Sequence, residues 1–131
     1  MSERSFALLT CSGVSNTGRL TTQAASVLVR RYPERFTCHL TAKQTTHDLI
    51  CGLEYTDCLV VIDGCKDQCA AKKLSSSGLG PDIHIIATDQ GIEKNGMADV
   101  QFWEIEQLVQ AISRAVQDGE KNDFFNCVLS R

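Results

Sequence analysis

Cys65 and Cys69 stand four residues apart in the stretch CLVVIDGCKDQCAAKKL, directly after Asp63 and Gly64. If a helix opens there, positions i and i+4 share one face about a turn apart. Both thiols then point the same way beside a helix N-terminus, which favours anions and therefore thiolates. Such a pair suits a shared metal ion or a redox couple. Two cysteines on one helix face also occur as ordinary core residues, so the pair alone decides nothing. Asp63 could support the thiols by accepting a hydrogen bond, or hold a cation, or simply cap a strand end. Gly64 lets the chain turn sharply.

A second group lies near the start. Cys11 opens the small polar loop CSGVSNTGRL. Backbone N–H groups at a strand-to-helix junction can hold an anion. Ser12, Gly13, Ser15, Asn16 and Gly18 are the candidates. The alternative is that they only make the turn and cap the helix. A nucleotide P-loop needs Lys-Ser/Thr after its last glycine, and here Arg19-Leu20 follows Gly18. A low-molecular-weight phosphatase loop needs an Arg where Thr17 stands. A sugar-transport IIB loop, with a phosphorylatable cysteine before small and hydroxyl residues, fits better through Cys11, Gly13, Ser15 and Thr17.

These groups must be positioned by the elements around them. Ser5–Thr10 reads as a first strand, and Asn16–Tyr32 as a helix with its apolar stripe at Leu20, Ala24, Ala25, Val27, Leu28 and Val29. Arg35–Leu40 is a second strand carrying Cys38, and Thr45–Tyr55 a second helix. The β-branched run Leu59–Ile62 is a buried third strand, its helix following at the cysteine pair. Ser75–Pro81 is loop, and Ile83–Ala87 a fourth strand. Asp89–Asp99 is a polar loop. Phe102–Asp118 is a last helix with Ile105, Leu108, Val109, Ile112 and Val116 on one stripe. The tail from Lys121 is apolar in its middle and expected to pack.

Strands alternating with helices imply one parallel sheet covered on both faces, a single-domain three-layer α/β sandwich over residues 1–131. Right-handed crossovers give the strand order 2-1-3-4 of a Rossmann-like or flavodoxin-like fold. The ends of strands 2, 1 and 3 then lie side by side. Open α/β sheets place their sites at that edge. Cys38, Cys11, Cys65 and Cys69 are expected to converge there. Four thiolates suit tetrahedral zinc, and an iron–sulfur cluster uses the same ligands but ranks below it. Cys58 and Cys51 read as small buried hydrophobes, and Cys127 has no placement. His39, His47 and His84 read as structural or surface residues.

The chain has 131 residues, seven cysteines and a formal net charge of −3. That balance argues against a nucleic-acid or membrane-surface binder. No apolar run approaches a signal peptide or a membrane span. The expectation is a cytoplasmic protein whose thiols stay reduced. In such a setting clustered cysteines serve metals or catalysis more often than staples.

Cys11-Ser-Gly-x-Ser-Asn-x-Gly together with Ile62-Asp-Gly-Cys-x3-Cys-Ala resembles the DGC domain family, named for its Asp-Gly-Cys motif. Gly91-Ile-Glu-Lys-Asn95 is similar to the family's segment after strand 4. Where the family tends to a small, glycine-containing stretch after its second cysteine, this chain has His39-Leu-Thr-Ala-Lys-Gln-Thr45. The resemblance implies a metal site on four chelating cysteines, Cys11, Cys65 and Cys69 by motif and Cys38 by its place in strand 2. It implies no settled reaction. The expected function is a small zinc-binding protein, whether carrier, sensor or metal-dependent enzyme. The alternatives are a phosphoryl-transfer protein using Cys11 and a thiol-redox protein using Cys65 and Cys69. The expected partners are a metal ion and a small anion.

Overall fold

Period-two alternation divides each inner strand between two cores. The computed structural model describes residues 4–11, 13–54 and 56–121. Strands β1 (Phe6–Thr10), β2 (Phe36–Thr41), β3 (Cys58–Asp63) and β4 (Ile83–Ile86) form one sheet in the order β2-β1-β3-β4. All three pairings are parallel, as the alternation of strands and helices demands. On one face Phe6, Leu8, Val60 and Ile62 pack with Leu20, Ala24, Leu28, Leu108 and Ile112. These come from helices α1 (Asn16–Arg31) and α4 (Phe102–Lys121). On the other face Ala7, Leu9, Leu59 and Val61 pack with Leu49, Leu53, Ala70 and Leu74. Those belong to α2 (Thr46–Leu53) and α3 (Cys69–Ser76). The result is the expected three-layer α/β fold.

Of the expected stripe on α4, Leu108, Val109, Ile112 and Val116 are nearly sealed from solvent and Ile105 is half-buried against them. Ser15 caps α1, its hydroxyl accepting the Gly18 N–H, and Thr45 caps α2 by accepting from Asp48. Such side chains satisfy amide groups that the helix itself leaves unbonded. Several boundaries differ from the sequence expectation. Helix α3 runs through Ser76, and a short 3-10 turn, Ala87–Gln90, follows β4 directly. Ser12, and the tail with Cys127, lie outside the described residues.

Candidate functional site

The site is built where β1 and β3 end together. Thr10 pairs with Ile62, and the Cys11 N–H donates to the Ile62 carbonyl at 3.3 Å. Cys11 belongs to the apolar cluster of Ala7, Leu9 and Ala70. It is 6% exposed, and its Sγ lies 3.7 Å from the buried Thr21 hydroxyl. Past β3, Gly64 passes tightly under the start of α1. A Cβ at Gly64 would fall 2.7 Å from the Thr17 carbonyl carbon and 2.8 Å from the Gly18 nitrogen. Both atoms are backbone, so only glycine fits this approach.

The two motif cysteines are not on one helix face. Helix α3 begins at Cys69, and Cys65 sits in the turn before it. The Gln68 N–H closes this turn onto the Cys65 carbonyl, and Gln68 takes a left-handed backbone with φ of 53°. Asp63 explains where the helix starts. Its Oδ1 accepts the Ala70 N–H at 2.8 Å and its Oδ2 the Ala71 N–H at 3.3 Å. His84 Nε2 reaches Oδ2 at 2.8 Å. A carboxylate only accepts, so Nε2 carries the hydrogen. Asp63 is thus a buried cap for α3 supplied from the strand before it.

Cys69 is exposed at the mouth of the site; partial desolvation first, then the charges of Cys11, Asp63, Asp67 and Cys65, raise its thiol above the ordinary value. Cys11 follows β1 beside Ile62, Cys65 lies two residues past β3 and Cys69 opens α3, so the backbone brings all three to one edge of the sheet. Lys94 joins them from the loop after β4. Its ammonium donates to Cys65 Sγ at 3.5 Å and meets Asp67 Oδ2 at 3.6 Å. Cys65 Sγ also donates to Asp67 Oδ2 at 3.5 Å. The bond to Cys65 first, then the charges of Cys65 and Asp67, hold Lys94 more firmly protonated than usual. Neither Lys94 nor Asp67 was expected at the site. The segment Gly91–Asn95 carried the only signal for Lys94, and its reach to Cys65 depends on β3 and β4 being neighbours.

Cys38 is placed elsewhere. It pairs with Ala7, whereas Cys11 follows Thr10, which pairs with Thr41. Cys38 shares the face of Cys11 but lies four residues back along the sheet, about 13 Å at the usual strand rise. Burial raises its thiol above the ordinary value. The reading of strand 2 as ending soon after Cys38 is corrected by β2 running to Thr41, where Thr41 N–H donates to Gln44 Oε1. Cys51 is exposed on α2, 3.5 Å from His47 Nε2, and so is not the buried hydrophobe expected. Cys58 is fully buried at the far end of β3, as expected, but is disulfide-bonded rather than a free thiol. His39 points away from the thiols and bonds the Thr10 hydroxyl at 2.9 Å.

The placed members of the expected anion loop are committed to the fold. The Asn16 N–H donates to the Gly96 carbonyl, and the Gly18 N–H to Ser15. The Asn16 side chain spans Glu93 O at 2.8 Å and the Asn95 N–H at 2.7 Å. Arg19 donates to the Met97 and Ala98 carbonyls. A Cβ on Gly18 would meet Gly13 O at 2.6 Å, so these two glycines make a tight turn. Turn and cap are what Gly13, Ser15, Asn16 and Gly18 supply here, and loop 93–98 straps the start of α1.

Fold and site together define a small parallel α/β protein with free thiols gathered at the carboxyl edge of its sheet. The family model of the DGC domain matches residues 7–112, and the chain belongs to that family. No curated protein and no solved structure matches it. No helix among the described residues is long and apolar enough to cross a membrane.

Proposed function

We propose that the protein binds a thiophilic metal ion, zinc by preference, through Cys11, Cys65 and Cys69. The feature that supports this reading is the placement of these three free thiols at the end of β1, just past β3 and at the start of α3. Zinc prefers such soft donors, and an iron–sulfur cluster would draw on the same set. Among the described residues no three donors already stand at metal-holding distance. Ligation therefore needs the turn from Gly64 to Gln68 to close on Cys11. Cys38 shares no ion with Cys11 unless β2 slides along β1, which the register opposes. Asp67 is the nearest oxygen for a fourth position. Three protein ligands and one exchangeable position suit an enzyme or a carrier better than a closed structural site. The free thiols suit a reducing cytoplasm, which we propose as the setting; the Cys58 disulfide is the feature against it.

Phosphoryl transfer on Cys11 is less well supported, because that thiol is buried and the Asn16 and Gly18 N–H groups are already bonded. Elemental analysis of the purified protein under mild reductant tests the reading. About one zinc per chain is expected. Cys11→Ser, Cys65→Ser and Cys69→Ser should each abolish it, and Cys38→Ser should not. Full occupancy in Cys65→Ser would sink the proposal. Loss of metal in a folded Cys38→Ser protein would restore Cys38 as a ligand and require a different strand register.

A further inference from the structure

The chain has seven cysteines, and five of them, Cys11, Cys38, Cys51, Cys65 and Cys69, are free thiols. Cys58 is disulfide-bonded. Cys127, which lies outside the described residues, is the one cysteine left to be its partner.

The fold puts that partner within reach. Cys58 is fully buried at the amino end of β3, level with Phe6, which is level in turn with Phe36 on β2. Helix α4 runs toward the same edge, where Val116 shares the core cluster of Cys58, Phe6 and Phe36. Lys121 ends the helix five positions further on, about 7.5 Å along its axis. Cys127 follows six positions later, and six residues extend to about 20 Å. A disulfide needs the two Cα atoms within about 7 Å. The chain beyond α4 is therefore long enough to bring Cys127 to Cys58.

The same edge holds a seat for the tail. Tyr32, Phe36 and Val116 line a hollow of about 140 Å³, with Arg35, Ser113 and Gln117 at its side. A space of about that size takes one benzene ring. Phe124 and Phe125 stand just before Cys127. We propose that the tail, residues 122–131, is a redox latch: Cys127 bonds to Cys58, and a phenylalanine of the tail fills the hollow. All four strands and helices α1 to α4 lie within residues 6–121, so the latch opens without dismantling the sheet. Closing it passes two electrons and two protons from the two thiols to a small disulfide such as oxidised glutathione, which leaves as two thiols. Opening it returns them from a dithiol, which becomes a disulfide itself. Disulfides that form in a reducing compartment are mostly transient and redox-sensing. A latch of that kind accounts for one disulfide beside five free thiols. It uses no thiol of the metal site, so it stands or falls apart from that reading.

The whole chain is equilibrated in glutathione buffers, alkylated in denaturant and digested with trypsin. Cleavage after Lys43, Lys66 and Lys121 gives Gln44–Lys66, which holds Cys51, Cys58 and Cys65, and Asn122–Arg131, which holds Cys127. In oxidising buffer the two peptides should be joined at Cys58, with Cys51 and Cys65 alkylated. After dithiothreitol every cysteine should be alkylated. Chymotrypsin should cut at Phe124 and Phe125 about tenfold faster in the reduced protein, as for a segment freed by local opening, with circular dichroism unchanged. Cys127→Ser should be cut at the reduced rate in both buffers. Phe124→Ala with Phe125→Ala should move the bond's equilibrium severalfold toward the thiols, because the tail loses its seat and Cys127 its high local concentration. Cys127 alkylated in oxidising buffer, or bonded to any cysteine but Cys58 of its own chain, would overturn the proposal. So would equal cutting in both redox states, or an equilibrium that the alanine pair leaves unmoved.

Discussion

Gly64 shows how a single residue holds the site together. Its hydrogen sits against backbone of Thr17 and Gly18, which cannot rotate aside as a side chain could. Gly64→Ala should therefore cost about 1–3 kcal/mol by overpacking, read as a lower denaturation midpoint. Gly80 has open space around it and no left-handed backbone. Gly80→Ala should be neutral or stabilise by up to about 1 kcal/mol, because it narrows the unfolded ensemble. Equal loss in both variants would deny the close approach at Gly64. His39 makes a different prediction. Burial lowers it from its ordinary 6.5, so the unfolded chain takes up its proton before the folded one does. Stability should be complete above that value and fall as pH drops through it. Denaturation midpoints between pH 7.5 and 5 (roughly, the range spanning an unperturbed histidine) should show this slope, and His39→Gln should flatten it. The sequence showed that Gly64 turns the chain, but not what it passes. That knowledge needs the start of α1, which is distant in sequence.

Helix α3 is the element where local reading was least adequate. A helix in this stretch was expected, and Ala70 and Leu74, one turn apart on it, are both buried. The starting point was not, because the cap comes from Asp63 on β3 and not from a residue beside the helix. Nor does Gln68 advertise a left-handed backbone, which glycine or asparagine would have signalled. The Cys65–Cys69 spacing therefore described a helical face that the chain does not form. Asp63→Ala removes both amide bonds and the His84 bond at once. It should destabilise the fold by about 3 kcal/mol, the loss of a cap together with a charged hydrogen bond. Hydrogen exchange at Ala70 and Ala71 should accelerate more than at Leu49 in α2. Uniform acceleration across both helices would mean that Asp63 supports the whole sheet rather than this one helix.

At the scale of the whole molecule, topology did what motifs alone could not. The order β2-β1-β3-β4 followed from alternation and handedness, and it brings Cys11 beside the turn that carries Cys65. The same rule misplaced Cys38, because strand order says nothing about register, and β2 runs on to Thr41. The proposed metal would join β1 to the start of α3, two parts of the core that otherwise meet by packing alone. An ion that binds only the folded chain stabilises it by mass action, about 2.7 kcal/mol at one hundred times the dissociation constant. For a chain of this size that corresponds to a rise in melting temperature of roughly 10 °C. Zinc should produce this rise in the wild type and in Cys38→Ser, and not in Cys69→Ser. The effect should also depend on pH in a definite sense. Partial desolvation and neighbouring negative charge hold Cys69 protonated to higher pH than an ordinary thiol. Zinc must displace that proton, so its stabilisation should grow as pH rises and vanish in mild acid. Calorimetric scans with and without zinc at several pH values measure it. A zinc shift independent of pH, or one that survives Cys69→Ser, would place the ion away from the end of β3.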